Sequence, residues 1–447
     1  MKSPDGPLDG PARTRRLTEG LPGIGGRIRA TNDDFLVEEL PLYGALGEGE
    51  HVLFELEKRG TSTFEALLWV SKTAKVSEHS IGYAGLKDAR AVTRQLMSVQ
   101  RVPPERLLAI RHPKIKVLSA RRHPSRIRIG HLKGNRFTIR VRDANLAHLD
   151  AAREALATLV RRGVPNAYGT QRFGLKQDGH LLGRAVVTDD WAGFLSHLCG
   201  RPHRREGDTR VLEAREAFDR GDLPAAFDLF PMKHRVQKQA ISALLRGGTA
   251  EDAFLALGKR ARRIYVSAYQ SWLFNRCLDA RLARDDHDRL LAGDLGWLHD
   301  SGALFLVRDP RADAGLAADF RASPAGPLPG YDARQPEGDP LALERAVLDG
   351  EGLTEDAFRK PNVRIRGARR PYRVPLGDAS LEVEDATTVV ARFTLPPGAF
   401  ATVVLRELMK NDGGPGVEPP ADDDDAPAGV EETVEEDEGA TDVPTGA

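Results

Sequence analysis

The placement of strand-like and helix-like periodicity along the chain restricts its fold more than any other feature. Period-two apolar alternation marks a half-buried strand. It is frequent near both ends of the chain and scarce between them. His51–Leu56 sets Val52, Phe54 and Leu56 on one side, and further short strands are predicted at Arg27–Ala30, Phe35–Leu40, Ser80–Tyr83 and Thr93–Val99. The pattern resumes after Arg370-Pro371, at Leu381–Glu384 and Thr388–Leu395. In between, residues 164 to about 371 are helix-prone and broken at Gly/Pro clusters such as Ser323–Gly330. This order predicts an α+β domain whose mixed, mainly antiparallel sheet is interrupted by a helix-rich insertion and completed by the last strands. The boundaries read as a Pro/Gly/Arg-rich mobile leader at 1–22, the strand-rich domain at 23–163 and 372–410, the insertion at 164–371, and a tail at 411–447.

Helix ends are also legible. Ser62-Thr-Phe-Glu65 forms a capping box, which opens a helix running to about Ala74 with Phe64, Leu67, Leu68 and Ser71 on one side. A second helix over Leu146–Arg162 stops at Gly163, ahead of Pro165, and a last one covers Phe400–Lys410. Self-similarity at solenoid periods is absent.

The balance of 65 basic and 65 acidic residues hides an asymmetry. Thirteen of the acids lie after Lys410 with no basic residue among them, leaving 65 basic against 52 acidic residues in the first 410. A cationic body points to a polyanion partner, usually a nucleic acid. The tail lacks aromatics and reads as disordered, with Asp422–Asp425 a solvated charge run and not a metal cage. Arg111–Arg142 holds eleven Lys or Arg and no acid. Within it, Arg136–Arg142 alternates Phe137, Ile139 and Val141 with Arg136, Thr138, Arg140 and Arg142, a strand with one basic face, and Arg126–Gly130 repeats the pattern. Two such faces could track phosphates.

Other classes drop out. Cys199 and Cys277 are the only cysteines among the 447 residues, too few for a disulfide framework or a Cys-rich zinc module. No apolar run approaches the ~20 residues of a membrane span, and the first residues lack a secretory apolar region. A soluble, cytoplasmic monomer is expected. Asp285-Asp-His-Asp288 reads as a charged helix face, Gly20–Gly26 lacks the Gly-Lys-Ser/Thr of a phosphate loop, and the histidines show no ligand spacing.

One stretch carries chemistry. In Gly82-Tyr-Ala-Gly-Leu-Lys-Asp-Ala-Arg-Ala-Val-Thr-Arg-Gln95, Asp88 lies in a loop between predicted strands, beside Lys87 and Arg90. A carboxylate among cations is held in its ionised form and can act as nucleophile or base, although loop aspartates more often serve turns and surface ion pairs.

The surrounding words narrow this. Gly85-Leu-Lys-Asp-Ala-Arg-Ala-Val-Thr-Arg-Gln95 resembles the GxKDxxAxTxQ signature of the TruD family of tRNA pseudouridine synthases. Six further stretches resemble that family in the same order: Arg29–Glu38, Leu132-Lys-Gly-Asn-Arg-Phe137, Gly163–Gly174, Ser267–Asn275, Gly367-Ala-Arg-Arg370 and Leu395–Glu407. Together they span about residues 26 to 410. Departures are Ala89 after the aspartate, Asn32 at a usual proline, and Ala167-Tyr168 for Tyr-Phe.

The resemblance implies a pseudouridine synthase catalytic domain interrupted by a TRUD insertion domain. It implies isomerisation of a tRNA uridine, with position 13 of the D stem expected, and no cofactor or metal. Asp88 would be the catalytic carboxylate, acting on a flipped base. Phe137 would stack on that base and Phe35 support the pocket. Asn135 would hydrogen-bond the base or hold the loop, and Arg29 would orient Asp88 or a phosphate, with Lys87 beside it. Arg136, Arg172, Arg369 and Arg370 are the expected RNA contacts. Asn166, Gln171 and Phe173 would shape the cleft between domains, and Asn275 would be structural. Two rivals are an RNA-binding module without catalysis and a hydrolase with Asp88 as general base. The hydrolase would need a second, opposed carboxylate, for which the sequence offers no paired motif.

Overall fold

The computed structural model describes residues 14–359 and 365–411. Residues 412–447 of the expected tail, and residues 1–13 of the expected leader, lie outside them. Residues 14–22 do not form a loose leader. Leu17 and Thr18 donate their backbone N–H groups to Glu407, and Thr14 and Thr18 are buried.

In chain order the first part comprises β1 (Gly25–Arg27), β2 (Phe35–Pro41), β3 (His51–Arg59), α1 (Thr63–Ala74), β4 (Gly82–Tyr83), β5 (Val92–Gln100), α2 (Pro104–Leu108), β6 (Ile115–His123), β7 (Leu132–Ala144) and α3 (Leu149–Arg162). A short strand, β8 (Val164–Pro165), leads into the middle of the chain. Seven helices follow: α4 (Gly179–Val187), α5 (Trp191–Cys199), α6 (Thr209–Asp219), α7 (Leu223–Leu229), α8 (Arg235–Leu245), α9 (Ala250–Leu255) and α10 (Lys259–Ala283). Then come β9 (Leu295–Leu298), β10 (Leu304–Leu306), α11 (Pro310–Ala318), β11 (Ala322–Leu328), α12 (Gly338–Gly350) and β12 (Ala368–Pro371). The chain closes with β13 (Arg373–Val374), β14 (Gly377–Val383), β15 (Val389–Leu395) and α13 (Ala401–Met409).

The fold is α+β. The main sheet runs β14-β15-β7-β2-β5-β3-β6, with β1 on β7 and β4 on β5. Its one parallel contact is β2 with β5. The last strands return as the periodicity required, β15 lying antiparallel on β7 with Phe393 opposite Phe137. The chain leaves and re-enters side by side, since β8 pairs with β13. Between those strands the helices enclose a core of their own, from Phe173 to Phe358. A four-stranded sheet, β10-β9-β11-β12, also lies there, a feature that prolines and glycines in Ser323–Gly330 hid from pattern reading.

Several expectations need correction. The first strand is Gly25–Arg27 and not Arg27–Ala30, because Arg29 takes φ +59° and breaks the extended run. Arg126–Gly130 is no strand. Gly130 turns at φ +85°, and the backbone of Ile127 instead runs against Gly82, where any Cβ would meet its carbonyl at 2.3 Å. The strand Ile115–His123 was not foreseen. The Asp285–Asp288 run is a turn beyond α10, gripped by Arg162 and Arg281. The capping box at Ser62 is present and α1 starts there. However, α1 buries Thr63, Ala66, Leu67, Val70, Ser71 and Ala74, leaving Phe64 and Leu68 exposed.

Register explains where a cleft can form. One face of the sheet carries Phe35 and Val37 beside Phe137, Ile139 and Phe393, capped by α3 and α13. The same face, further across, carries Met97 and Val99 beside Val52, Phe54 and Leu56, capped by α1 and α2. Between these two apolar cores the face is polar. Asn135 pairs with Glu39, Val37 with Thr93, and Thr93 with Lys58, while Gln95 lies opposite Leu56. Glu39, Lys58, Thr93, Gln95 and Asn135 therefore form a polar seam under the gap between two helical layers.

Candidate active site

Residues 84–91, the loop from β4 to β5, lie over this seam, and Asp88 sits within them. Three groups fix the loop's backbone. Lys58, with 0% of its surface exposed, donates from Nζ to the carbonyls of Thr61 at 2.9 Å, Lys87 at 3.1 Å and Asp88 at 2.6 Å. The N–H of Lys87 donates to Thr63 Oγ1 at 3.0 Å. Gln95 Nε2 donates to the Gly85 carbonyl at 3.3 Å. The loop is thus held from below by a buried ammonium, and Asp88 has little freedom of backbone.

The Asp88 side chain is about one-third exposed, and its Oδ2 lies 3.2 Å from a guanidinium nitrogen of Arg29, which is almost fully buried. Arg29 reaches it because of its left-handed backbone, a conformation costly for a residue with a Cβ. The next turn secures that geometry. The Thr31 N–H donates to Asp34 Oδ2 at 2.8 Å, and Arg142 grips the same carboxylate. Burial raises the Asp34 pKa, but the bonds from Arg142 and Thr31 outweigh it and hold the carboxyl below its ordinary value. The Arg29 guanidinium also lies over the Phe35 ring, 4.2 Å from its centroid. Phe35 meets Phe137 edge-on at 6.4 Å, and Phe137 leans on Phe393 at 5.4 Å.

Lys87 does not point toward Asp88's carboxylate partner. Its Nζ pairs with Glu39 at 2.7 Å, and Glu39 also accepts the Leu96 N–H at 3.2 Å. The pair is deeply buried. Around it, four polar atoms are buried without a partner: Arg29 Nε, Thr93 Oγ1, Gln95 Oε1 and Asn135 Oδ1. Such atoms cost on the order of 1–3 kcal/mol each, so a cluster of them marks a place that a ligand completes.

The structure brings together Asp88, Arg29, Phe35, Lys87, Asn135 and Phe137. It does not gather the RNA-contact arginines on one open face, although Arg172 and Arg370 both lie over the Tyr168 ring. Arg136 is half exposed beside Asp378. Arg172 is buried, bonded to Ser271 Oγ at 3.0 Å and to Ser267, and burial lowers its pKa. Arg369 is buried against Glu344 and the Arg334 carbonyl. Arg370 binds Asn166 and the Gly398 carbonyl and stacks on Tyr168 at 4.3 Å. The cited bonds of Arg172 and Arg369 lie within the insertion, whereas Arg370, half-buried, reaches from it to the Gly398 carbonyl; all three guanidinium groups are engaged by protein in this state. Asn275 clamps the backbone of Tyr168 through both amide atoms at 2.9 Å, the structural part expected of it.

Sequence reasoning missed Lys58, Glu39, Thr93 and Gln95. The signal was available for three of them: Lys58, Thr93 and Gln95 occupy the parity of strand positions whose neighbours, Leu56 and Met97, are core residues.

Residues 13–408 match the family described as tRNA pseudouridine synthase D (TruD). The chain is 47% identical over 398 residues to a tRNA pseudouridine synthase D of Geobacter metallireducens, covering 89% of this chain and 98% of that one. It is 45% identical over 402 residues to that of Geobacter sulfurreducens, covering 90% and 98%. A crystal structure from Methanosarcina mazei, described as a tRNA pseudouridine synthase D, superposes with a TM-score of 0.77 at 27% identity, over 91% of this chain and 99% of that one.

Proposed function

The chain belongs to the TruD family of tRNA pseudouridine synthases, and on that footing we propose that Asp88 is the catalytic carboxylate in isomerising one tRNA uridine, at position 13 of the D stem, to pseudouridine. The glycosidic C1′–N1 bond breaks, the uracil turns, C5 bonds to C1′ and gives up its proton, and N1 takes one up, so atoms are conserved without a co-reactant. A carboxylate must stand close to both sugar and ring. Asp88 is held on a fixed backbone, oriented by Arg29, and open to solvent on about a third of its surface.

The observation that carries this reading is the cluster of unpartnered buried atoms beside Asp88. A flipped uracil presents an N3–H donor and two carbonyl acceptors. Asn135 Oδ1, Gln95 Oε1 and Thr93 Oγ1 can accept, and Arg29 Nε can donate, so a uracil edge suits them chemically. The base would enter against Phe137, with Phe35 and Phe393 backing that ring. Glu39, the other carboxylate of the network, is tied to Lys87 and a backbone N–H, which disfavours the two-carboxylate hydrolase. A buried uridine in the D stem needs local opening of the tRNA, so shape would count for more than sequence.

The test is site-mapped pseudouridine in tRNA treated with wild type and with Asp88→Asn. Wild type should modify one uridine. The variant should bind tRNA with unchanged affinity and lose activity by roughly a thousandfold or more. Full activity in the variant would remove Asp88 from the chemistry. Modification at a site outside the D stem would overturn the positional reading alone.

A further inference from the structure

Helix α1 has two apolar sides, and the core uses one. The other leaves Phe64 51%, Leu68 37% and Trp69 46% exposed. Leu86, in the loop that carries Asp88, is 47% exposed. These positions are neighbours, because the N–H of Lys87, next to Leu86, is bonded to Thr63, next to Phe64. Phe64 and Leu68 are one helical turn apart at one edge of the exposed face, and Trp69, about 7 Å along the axis and about 140° round the helix from Phe64, marks its other edge. Trp69 rests on His112, with ring centroids 4.5 Å apart, and Lys72 Nζ lies 5.9 Å from the Trp69 centroid. An apolar surface thus begins at the catalytic loop and runs outward along α1.

Its charge says what it faces. Lys72 and Lys75 on α1, and Arg111 and Lys114 on the turn before β6, are all exposed around it. Glu65, an exposed acid of the first turn held ionised by Thr61 and Ser62, lies near Lys114 and offsets one of these four cations. Flat aromatic rings framed by cations, continuous with a site for a flipped base, are suited to unpaired nucleotides: rings stack on bases and cations follow the phosphates. Resting on the RNA reading above, we propose that the exposed face of α1, centred on Phe64 and Trp69, is a stacking platform for unpaired bases of the substrate RNA next to the flipped uridine. It holds the opened strand while the target occupies the Asp88 site.

The side chains of Phe64 and Trp69 make none of the hydrogen bonds that hold the Asp88 loop or the seam, so their loss should weaken RNA binding and spare the chemical step. The Phe64→Ala/Trp69→Ala double variant should raise the Kd for substrate tRNA about tenfold or more, with kcat at saturating tRNA and the melting temperature unchanged. Trp69→Phe should keep wild-type affinity. A second measurement does not depend on catalysis: a short oligouridine should quench tryptophan fluorescence in wild type and not in Trp69→Phe. Wild-type tRNA affinity in the double variant, or absence of quenching, overturns the platform. So does a dimer of the wild-type chain that the double variant dissolves with no change in RNA affinity, since the surface would then serve a second copy. Wild-type protein that forms no pseudouridine in any tRNA overturns the RNA-isomerase reading instead, and the quenching result then decides the platform alone.

Discussion

Lys58 and Arg281 are both cations removed from water, one beneath the Asp88 loop and one at the end of α10, and their surroundings differ. Arg281, 2% exposed, meets Asp294 at 2.8 Å and Asp286 at 2.6 Å, and donates to the carbonyls of Asp286 and Arg289. Its charge is met by opposite charge on the spot. Arg215 with Glu206, and Arg369 with Glu344, repeat the arrangement elsewhere in the insertion. The described bonds of Lys58 run to three main-chain carbonyls, two of them at the catalytic loop, and the seam beside it holds several polar atoms with no partner. The insertion also holds buried atoms without a partner, Glu206 Oε2, Arg369 Nη2 and both His287 ring nitrogens among them, but each of these buried guanidinium charges is met by a carboxylate, which locks structure. Around Asp88 the unpartnered atoms form a cluster, which is what a site that must receive a ligand requires.

The largest effect should come from breaking the charge-matched kind. Arg281→Met leaves Asp294 and Asp286 without their cation and should cost about 3–5 kcal/mol of stability, read as a lower urea midpoint. The folded fraction should keep its kcat. A kcat loss at an unchanged midpoint would break the comparison.

The next effect tests the other side. Lys58→Met removes the anchor of the loop without touching substrate. Turnover should fall about 10–100-fold, because misplacing a reacting group by about 1 Å has that cost. The KM for tRNA should stay put, and Lys58→Arg should recover part of kcat. Equal losses in kcat and in thermal stability, with no recovery by arginine, would reduce Lys58 to ordinary core.

Much of this was legible beforehand, and the misses have physical causes. Alternation in His51–Leu56 and Arg136–Arg142 located β3 and β7, since one buried face leaves a period-two trace. The capping box at Ser62 placed the start of α1 correctly. What it did not resolve is how the predicted side splits: packing buries Leu67 and Ser71 and leaves Phe64 and Leu68 exposed, because α1 carries apolar residues on two stripes. The turn at Arg29 escaped because nothing in the residue type announces a left-handed backbone; Asp34 and Arg142, over a hundred residues apart, hold the corner. Thr93 and Gln95 stood inside a quoted motif, yet their meaning depends on register with Val37 and Leu56. Arg172, Arg369 and Arg370 were expected at RNA from their place in the motifs, and their protein partners Ser271, Glu344 and Asn166 show only in the fold.

A smaller effect concerns His287, which is fully buried with both ring nitrogens unpartnered. Burial pushes its pKa down to about 4; Asp288 and Asp285 oppose this, and Arg162 and Arg373 add to it. In the unfolded chain the ring would take a proton near pH 6.5, whereas the folded chain stays neutral to about pH 4. The neutral form therefore stabilises the fold above pH 6.5, and that contribution shrinks as pH falls between the two values. At pH 5 the loss should reach about 2 kcal/mol. In urea titrations His287→Leu should flatten the acid side of the stability profile. An unchanged slope would mean that other groups set it.

The smallest effect separates two arginines of one strand. Sequence gave Arg136 and Arg140 the same basic face, but Arg140 is bound by Glu384 through a fork of bonds near 2.9 Å and donates to the Asp33 carbonyl. Arg136 is half exposed, 4.0 Å from an exposed Asp378. A guanidinium already neutralised releases few counterions when RNA arrives, and a free one releases about one. Arg136→Gln should therefore lower the slope of log affinity against log salt by about one, and Arg140→Gln should leave it within error. The two should differ only a few-fold in Kd at moderate salt, so the slope is the sensitive readout. Equal slopes for both variants would mean that RNA opens the Arg140–Glu384 pair, and that the charge pairing of the free protein is not the pairing of the complex.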